Sequence, residues 1–155
     1  MPISAASPEI RFFYERPIHL SHVRATKATI RSIFLTHKKK LAALTVVFCS
    51  DARLRRINKE FLTHDYLTDV ITFLIESGPS GIVGEIYVSA DRVRENSRVY
   101  RVPVSHEARR VIFHGALHLC GFGDEGAKKR EKMRERENFF LLRFARTVSR
   151  ETKGK

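Results

Sequence analysis

Apolar positions along the chain change period several times, and each change marks an element. Ile10-Arg11-Phe12-Phe13-Tyr14 has the aromatic and β-branched content of a strand, after residues 1–8, a loose lead-in or an early edge segment. Ser21 is read as the N-cap of a helix to about His37, with Val23, Ile30, Ile33 and Phe34 on one face. Lys38-Lys39-Lys40 closes that helix, where cations suit the negative end of the dipole, and is read as a solvated end. Leu44 to Phe48 is an apolar strand. Ser50 caps a second helix with Leu54, Ile57 and Phe61 inward and Arg53, Arg55, Arg56 and Lys59 outward. A polar loop from Thr63 becomes a strand at Val70; Gly78-Pro79-Ser80-Gly81 turns it, and Ile82 to Ser89 alternates as the next strand.

The remainder reads as helical. A basic helix begins near Asp91, carries Arg92, Arg94, Arg98 and Arg101, and ends at Pro103. Ser105 is read as the cap of the next, which buries Val111, Ile112 and Leu117. Ala127 to Val148 makes a long charged helix with Met133, Phe140, Leu141 and Phe144 inward. Its alternating charges from Lys128 to Glu137 are read as a solvated face. The order β-α-β-α-β-β-α-α-α predicts one α+β domain over residues 1–148, a small mixed sheet backed by helices, with 149–155 a disordered basic tail.

At 155 residues the chain is long enough for one domain that buries about 68–70% of its unfolded surface. No apolar run approaches a membrane span, and the first residues lack the basic start and apolar run of a signal peptide. Two cysteines, Cys49 and Cys120, do not make a disulfide-stapled domain, so a cytoplasmic protein without membrane contact is expected. The charge says more. Lys and Arg number 29 against 17 acidic residues, for a net charge of +12, which favours a polyanionic partner through counterion release. Solubility alone is the competing explanation. The basic face of Arg53, Arg56 and Lys59, with Arg92, is the candidate nucleic-acid surface; a merely solvated helix fits it nearly as well.

The candidate chemistry lies in His114-Gly115-Ala116-Leu117-His118-Leu119-Cys120-Gly121-Phe122-Gly123-Asp124. On a helix, His114 and His118 fall one turn apart on one face, about 6 Å along the axis. Gly121 stops the helix, and Asp124 can return toward both imidazoles as a third ligand, with Glu125 its rival. Two His and one carboxylate with an open position is how a catalytic zinc is held. The spacing has the geometry of the metzincin zinc peptidases, but Gly115 stands where a peptidase of the H-E-x-x-H type carries its general base. Peptide hydrolysis is therefore disfavoured. Cys120 is read as a small buried hydrophobe.

This run resembles the H-G-x-L-H-L-x-G-x-D-H signature of the YbeY family of bacterial endoribonucleases. His114, Gly115, Leu117, His118, Leu119 and Gly121 match; Gly123 replaces the family's Asp, and Asp124 its third metal-binding His. Asn58 to Phe73 is similar to the family's N-x-x-[FY]-R-x-x-D-x-x-T-D-V-L-[ST]-F block at Asn58, Phe61, Asp65, Thr68, Asp69, Val70, Thr72 and Phe73. The family arginine, implicated in its RNA chemistry, falls on Leu62. His64 is read as a surface-loop histidine rather than a partner of the ligands, and Asp69 as capping the loop or touching substrate. Ile82 to Ser89 resembles the family's L-G-D-I-x-[IV]-[SC] strand with Glu85 at the Asp position. Glu85 is a candidate general base or a group that binds the metal through water, or else a strand carboxylate paired with an arginine.

The resemblance covers about residues 44–140. It implies the family's fold and a metal-dependent, single-strand-specific endoribonuclease of rRNA maturation, acting on ribosomal particles without a small-molecule cofactor. One Zn2+ per chain is expected on His114, His118 and Asp124, though nickel, cobalt or manganese suit such donors. The competing expectation is a non-catalytic, ribosome-associated assembly factor whose metal is structural.

Overall fold

The computed structural model describes residues 7–62 and 68–154, without the side chain of Leu62. His64 and Asp65, singled out above, lie outside the described residues, as does most of the lead-in. The elements follow the expected order: β1 (Glu9–Tyr14), α1 (Val23–Thr36), β2 (Leu41–Cys49), α2 (Asp51–Leu62), β3 (Val70–Gly78), β4 (Gly81–Ser89), α3 (Ala90–Tyr100), α4 (Val104–Leu119) and α5 (Ala127–Lys153). The strands form one mixed sheet in the order β1-β2-β4-β3. β1, β2 and β4 run parallel, and the β3–β4 hairpin is antiparallel.

Alternation along β4 sorts the molecule into two sides. Gly84, Ile86 and Val88 face the larger core, where Ile30, Ile33 and Phe34 of α1 meet Ile112, Phe113 and Ala116 of α4 and Phe140 of α5. Tyr87 faces the other side, where Cys49, Leu54, Ile57 and Ile71 make a smaller core under α2. Adjacent strand residues point to opposite faces, so this division assigns Glu85 to the α2 side.

Several helix ends differ from expectation. Ser50 does cap α2, its Oγ accepting from Arg53 N at 3.1 Å. Ser21 and Ser105 do not cap α1 and α4, which begin after His22 and Pro103 without a side-chain cap. They tie the two helix starts together instead. Ser21 N donates to Ser105 Oγ at 3.0 Å, and that hydroxyl donates to His19 O at 3.1 Å. Long-range partners outcompeted the local cap. α5 passes Val148 and continues to Lys153, with Gly154 N bonded to Arg150 O at 3.1 Å, because nothing from 149 to 153 breaks a helix. Among the described residues, no helix is long and apolar enough to cross a membrane.

Candidate metal centre

Helix α4 packs against β4 at very short range, and Gly115 makes this possible. A Cβ at Gly115 would stand 2.9 Å from two carbons of Ile86, and one at Gly84 would stand 2.6 Å from Leu119. Such distances are far inside van der Waals contact, so a side chain at either position would force Ile86 or Leu119 to move. The residue that argued against a peptidase therefore has a packing reason of its own. This seating buries Phe113, Ala116 and Leu117 and turns His114 and His118 to the side of the helix, where both are half-buried.

The two imidazoles meet edge to face, with Nε2 atoms 2.9 Å apart. Past Leu119 the chain reverses. Gly121, at φ 99°, has left-handed backbone, Gly121 N donates to His118 O at 2.9 Å, and Phe122 N donates to Leu117 O at 3.0 Å. The return brings Asp124 Oδ2 to 3.3 Å from His114 Nε2 and 3.4 Å from His118 Nε2. One donor atom from each of the three residues lies within 4.8 Å of the others. Glu125, the rival ligand, is exposed and is not part of this group.

His114 has a partner that sequence reasoning missed. Glu137 of α5, buried at 5% exposure, places Oε2 2.7 Å from His114 Nδ1. An ionised carboxylate only accepts, so Nδ1 carries the proton and the Nε2 lone pair is left toward Asp124 and His118. Arg110 holds the other end of the carboxylate, donating to Glu137 Oε1 at 3.0 Å and to Asn138 Oδ1 at 2.8 Å. Charge alternation alone assigns Glu137 to a solvated face. The sign of its burial is present in the spacing, since it continues the inward stripe of Met133, Phe140 and Phe144.

Electrostatics separates the two histidines. Burial lowers the pKa of His114, but its bond to Glu137 and the charges of Glu137, Asp69 and Asp124 outweigh that and leave it raised. Burial and the neighbouring His114 lower His118 against the opposing pull of Asp124. Cys120 is buried, and desolvation pushes its thiol up to about 12, so it behaves as an apolar residue rather than a thiolate ligand.

A cleft of about 300 Å³ opens beside His114 and Asp124, lined also by Asp69, Tyr100, Arg130 and Arg134. Burial raises the pKa of Asp69, partly countered by His114. The other expected site residues are not gathered here. Glu85 lies on the α2 side of the sheet and accepts from Tyr87 Oη at 3.2 Å, so the sheet separates it from the histidines. Its reading as their general base is not supported. Arg53 pairs with Glu15 at 3.6 Å, while Arg56 and Lys59 are exposed on α2. Arg92 is held by Asp51 and Glu95, each at 3.6 Å, though its charge is felt at Asp69.

The model of one protein family, Endoribonuclease YbeY, matches residues 15–145. The Endoribonuclease YbeY of Parabacteroides distasonis is 38% identical over 81% of this chain and 89% of its own. That of Flavobacterium johnsoniae is 36% identical over 87% of this chain and 96% of its own. In architecture the chain is similar to the solution structure of TM1509 from Thermotoga maritima, with a TM-score of 0.56 over 94% of this chain and 95% of that one, at 24% identity. With a family match across most of its length and the histidine helix intact, the chain belongs to the YbeY family of endoribonucleases.

Proposed function

We propose that this protein is a metal-dependent, single-strand-specific endoribonuclease of rRNA maturation and ribosome assembly, working on ribosomal particles in the cytoplasm. The observation that carries the reading is the convergence of His114, His118 and Asp124 beside a cleft lined with arginines. Two imidazole nitrogens and a carboxylate oxygen are the donor chemistry of zinc. Three protein donors among the described residues, rather than the four of a structural site, suit catalysis. The Glu137 bond to Nδ1 fits this assignment, because it points the free nitrogen of His114 at the other two donors. When bound, a divalent ion there supplies a Lewis acid for a phosphoryl oxygen and activates water.

The chain's own groups divide the remaining work. Arg110 and Glu137 hold His114 in one tautomer and one orientation. Arg130 and Arg134 line the cleft where a phosphodiester would lie, and guanidinium groups suit phosphate. Asp69, with its pKa raised by burial, lines the same cleft and takes the proton-carrying role that the sequence suggests for Glu85.

The test measures metal content and cleavage of single-stranded rRNA fragments in the wild type and in His114→Ala and Asp124→Ala. One zinc per chain, lost together with cleavage in the variants, supports the reading. Full cleavage by both variants overturns it.

A further inference from the structure

RNA must approach the metal triad over some surface, and α2 is poorly placed to provide it. α2 covers the sheet face remote from the triad, and Arg53 already has an acidic partner. A second basic surface flanks the metal-bearing loop itself. Lys38, Lys39 and Lys40 stand exposed just past α1, bordering a recess shared with Leu119, Cys120 and Gly121. On the far side of the loop, Lys129 of α5 lies over Gly123, its Cδ 3.5 Å from where a Cβ would be. The Lys132 ammonium is 5.8 Å from the ring centre of Phe122, two residues before the ligand Asp124.

Aromatic groups are interleaved with these cations. The His37 ring packs edge-on to Phe122 at 4.6 Å, and Arg136 Nη2 lies 3.4 Å from His37 Nε2. The Arg136 guanidinium also lies 4.9 Å from the ring centre of Phe139, which is 46% exposed. Among the described residues, Lys38, Lys39, Lys129, Lys132 and Arg136 form no ion pair with a carboxylate. These cations are available to a polyanion, whereas Arg53 and Arg92 are already partnered. Cations with accessible rings suit a strand whose bases are free to stack, rather than a duplex.

We infer that single-stranded RNA runs from the metal site across this flank, with phosphates on Lys39, Lys129 and Lys132 and unpaired bases near Phe122 and Phe139. The inference rests on the endoribonuclease reading and names the path of its substrate. Taken alone, each lysine run reads as a solvated end or face. The fold places them on either side of the ligand loop.

The test is binding of a labelled, unstructured RNA of about 12 nucleotides, a length within single-strand site sizes. It is measured over a salt series on protein carrying His118→Ala, so that the strand stays intact. Lys129→Glu with Lys132→Glu is compared with Arg53→Glu with Arg56→Glu. All four side chains are at least partly exposed, so both pairs are expected to fold. The flank pair should raise Kd about tenfold or more and flatten the log–log salt slope by about 0.7 for each phosphate left without its cation. The α2 pair should change Kd less than about threefold. Equal losses from both pairs, no loss from the flank pair, or equal affinity for a duplex of the same length overturns the inference.

Cleavage by the protein without His118→Ala is scored separately. If that protein cuts RNA but the flank reversals bind normally, the path is wrong and the nuclease reading stands. If the reversals weaken binding but the protein does not cut, the path stands and the nuclease reading falls.

Discussion

The two sides of the sheet carry similar residues and use them differently. On the α2 side, Glu85 sits half-buried on a strand and is occupied by a tyrosine hydroxyl, while Arg53 and Glu15 pair at the surface. On the α4 side, Glu137 is buried, clamped by Arg110 and bonded to a histidine whose other nitrogen faces two more donors. A carboxylate is common on both sides. What separates them is a second helix on the α4 side: α5 packs on α4 and takes its own Glu137 out of water, where an ion pair or hydrogen bond carries more weight. The candidate metal donors gather where two helices and a returning loop converge, and not where one helix covers a strand.

That contrast breaks most visibly at a ligand. His118→Ala should abolish metal retention and drop RNA cleavage to background, read by plasma mass spectrometry and a gel assay. Retained metal and activity would remove the triad from consideration. Next in size is Asp69→Asn, expected to lower kcat by about 10²-fold, the range of general acid–base catalysis, with metal content unchanged. A loss confined to KM would make Asp69 a binding residue instead.

Glu137→Gln should weaken zinc binding by about 10–100-fold, as loss of an outer carboxylate does. Isothermal titration would show it, and unchanged affinity would mean Glu137 serves only packing. The pH dependence sharpens the same point. A proton competes with zinc for His114, whose pKa stays above the ordinary 6.5 despite burial. Zinc affinity should therefore begin to fall on acidification above pH 6.5, and at lower pH in Glu137→Gln. In metal-free protein the sign reverses. The protonated imidazole stabilises the fold at acid pH, and that contribution is lost as pH rises through the raised pKa.

Gly115→Ala should cost about 1–3 kcal/mol of stability in chemical unfolding, the range of overpacked cores, because its methyl meets Ile86. Smallest of all, Glu85→Gln should leave cleavage within about twofold of the wild type, as for substitutions remote from a site. A large loss there would show that the α2 side takes part after all.

Much of the fold could be read along the chain, because period 2 and period 3.6 are local properties of the backbone. Every strand and helix appears in the expected order. The errors concern groups with two possible partners. Ser21 and Ser105 suit caps, yet they bond each other across 84 positions. Lys128 to Glu137 alternates in sign like a solvated face, yet Glu137 faces inward with Met133 and Phe140.

By itself, the sequence determined the family and brought His114 and His118 together as a candidate metal site, with Asp124 or Glu125 as the third donor. Helical spacing aligns His114 with His118, and Gly121 allows the turn that returns Asp124, all within eleven consecutive residues. Only the tertiary structure decided which carboxylates and cations lie beside those residues. Glu137, Arg110, Asp69 and Lys39 lie far from Asp124 or from one another along the chain, and only packing on the sheet brings them near the site. Local spacing sets what one element can present. Burial, and therefore the strength of a charge, depends on what other elements cover it.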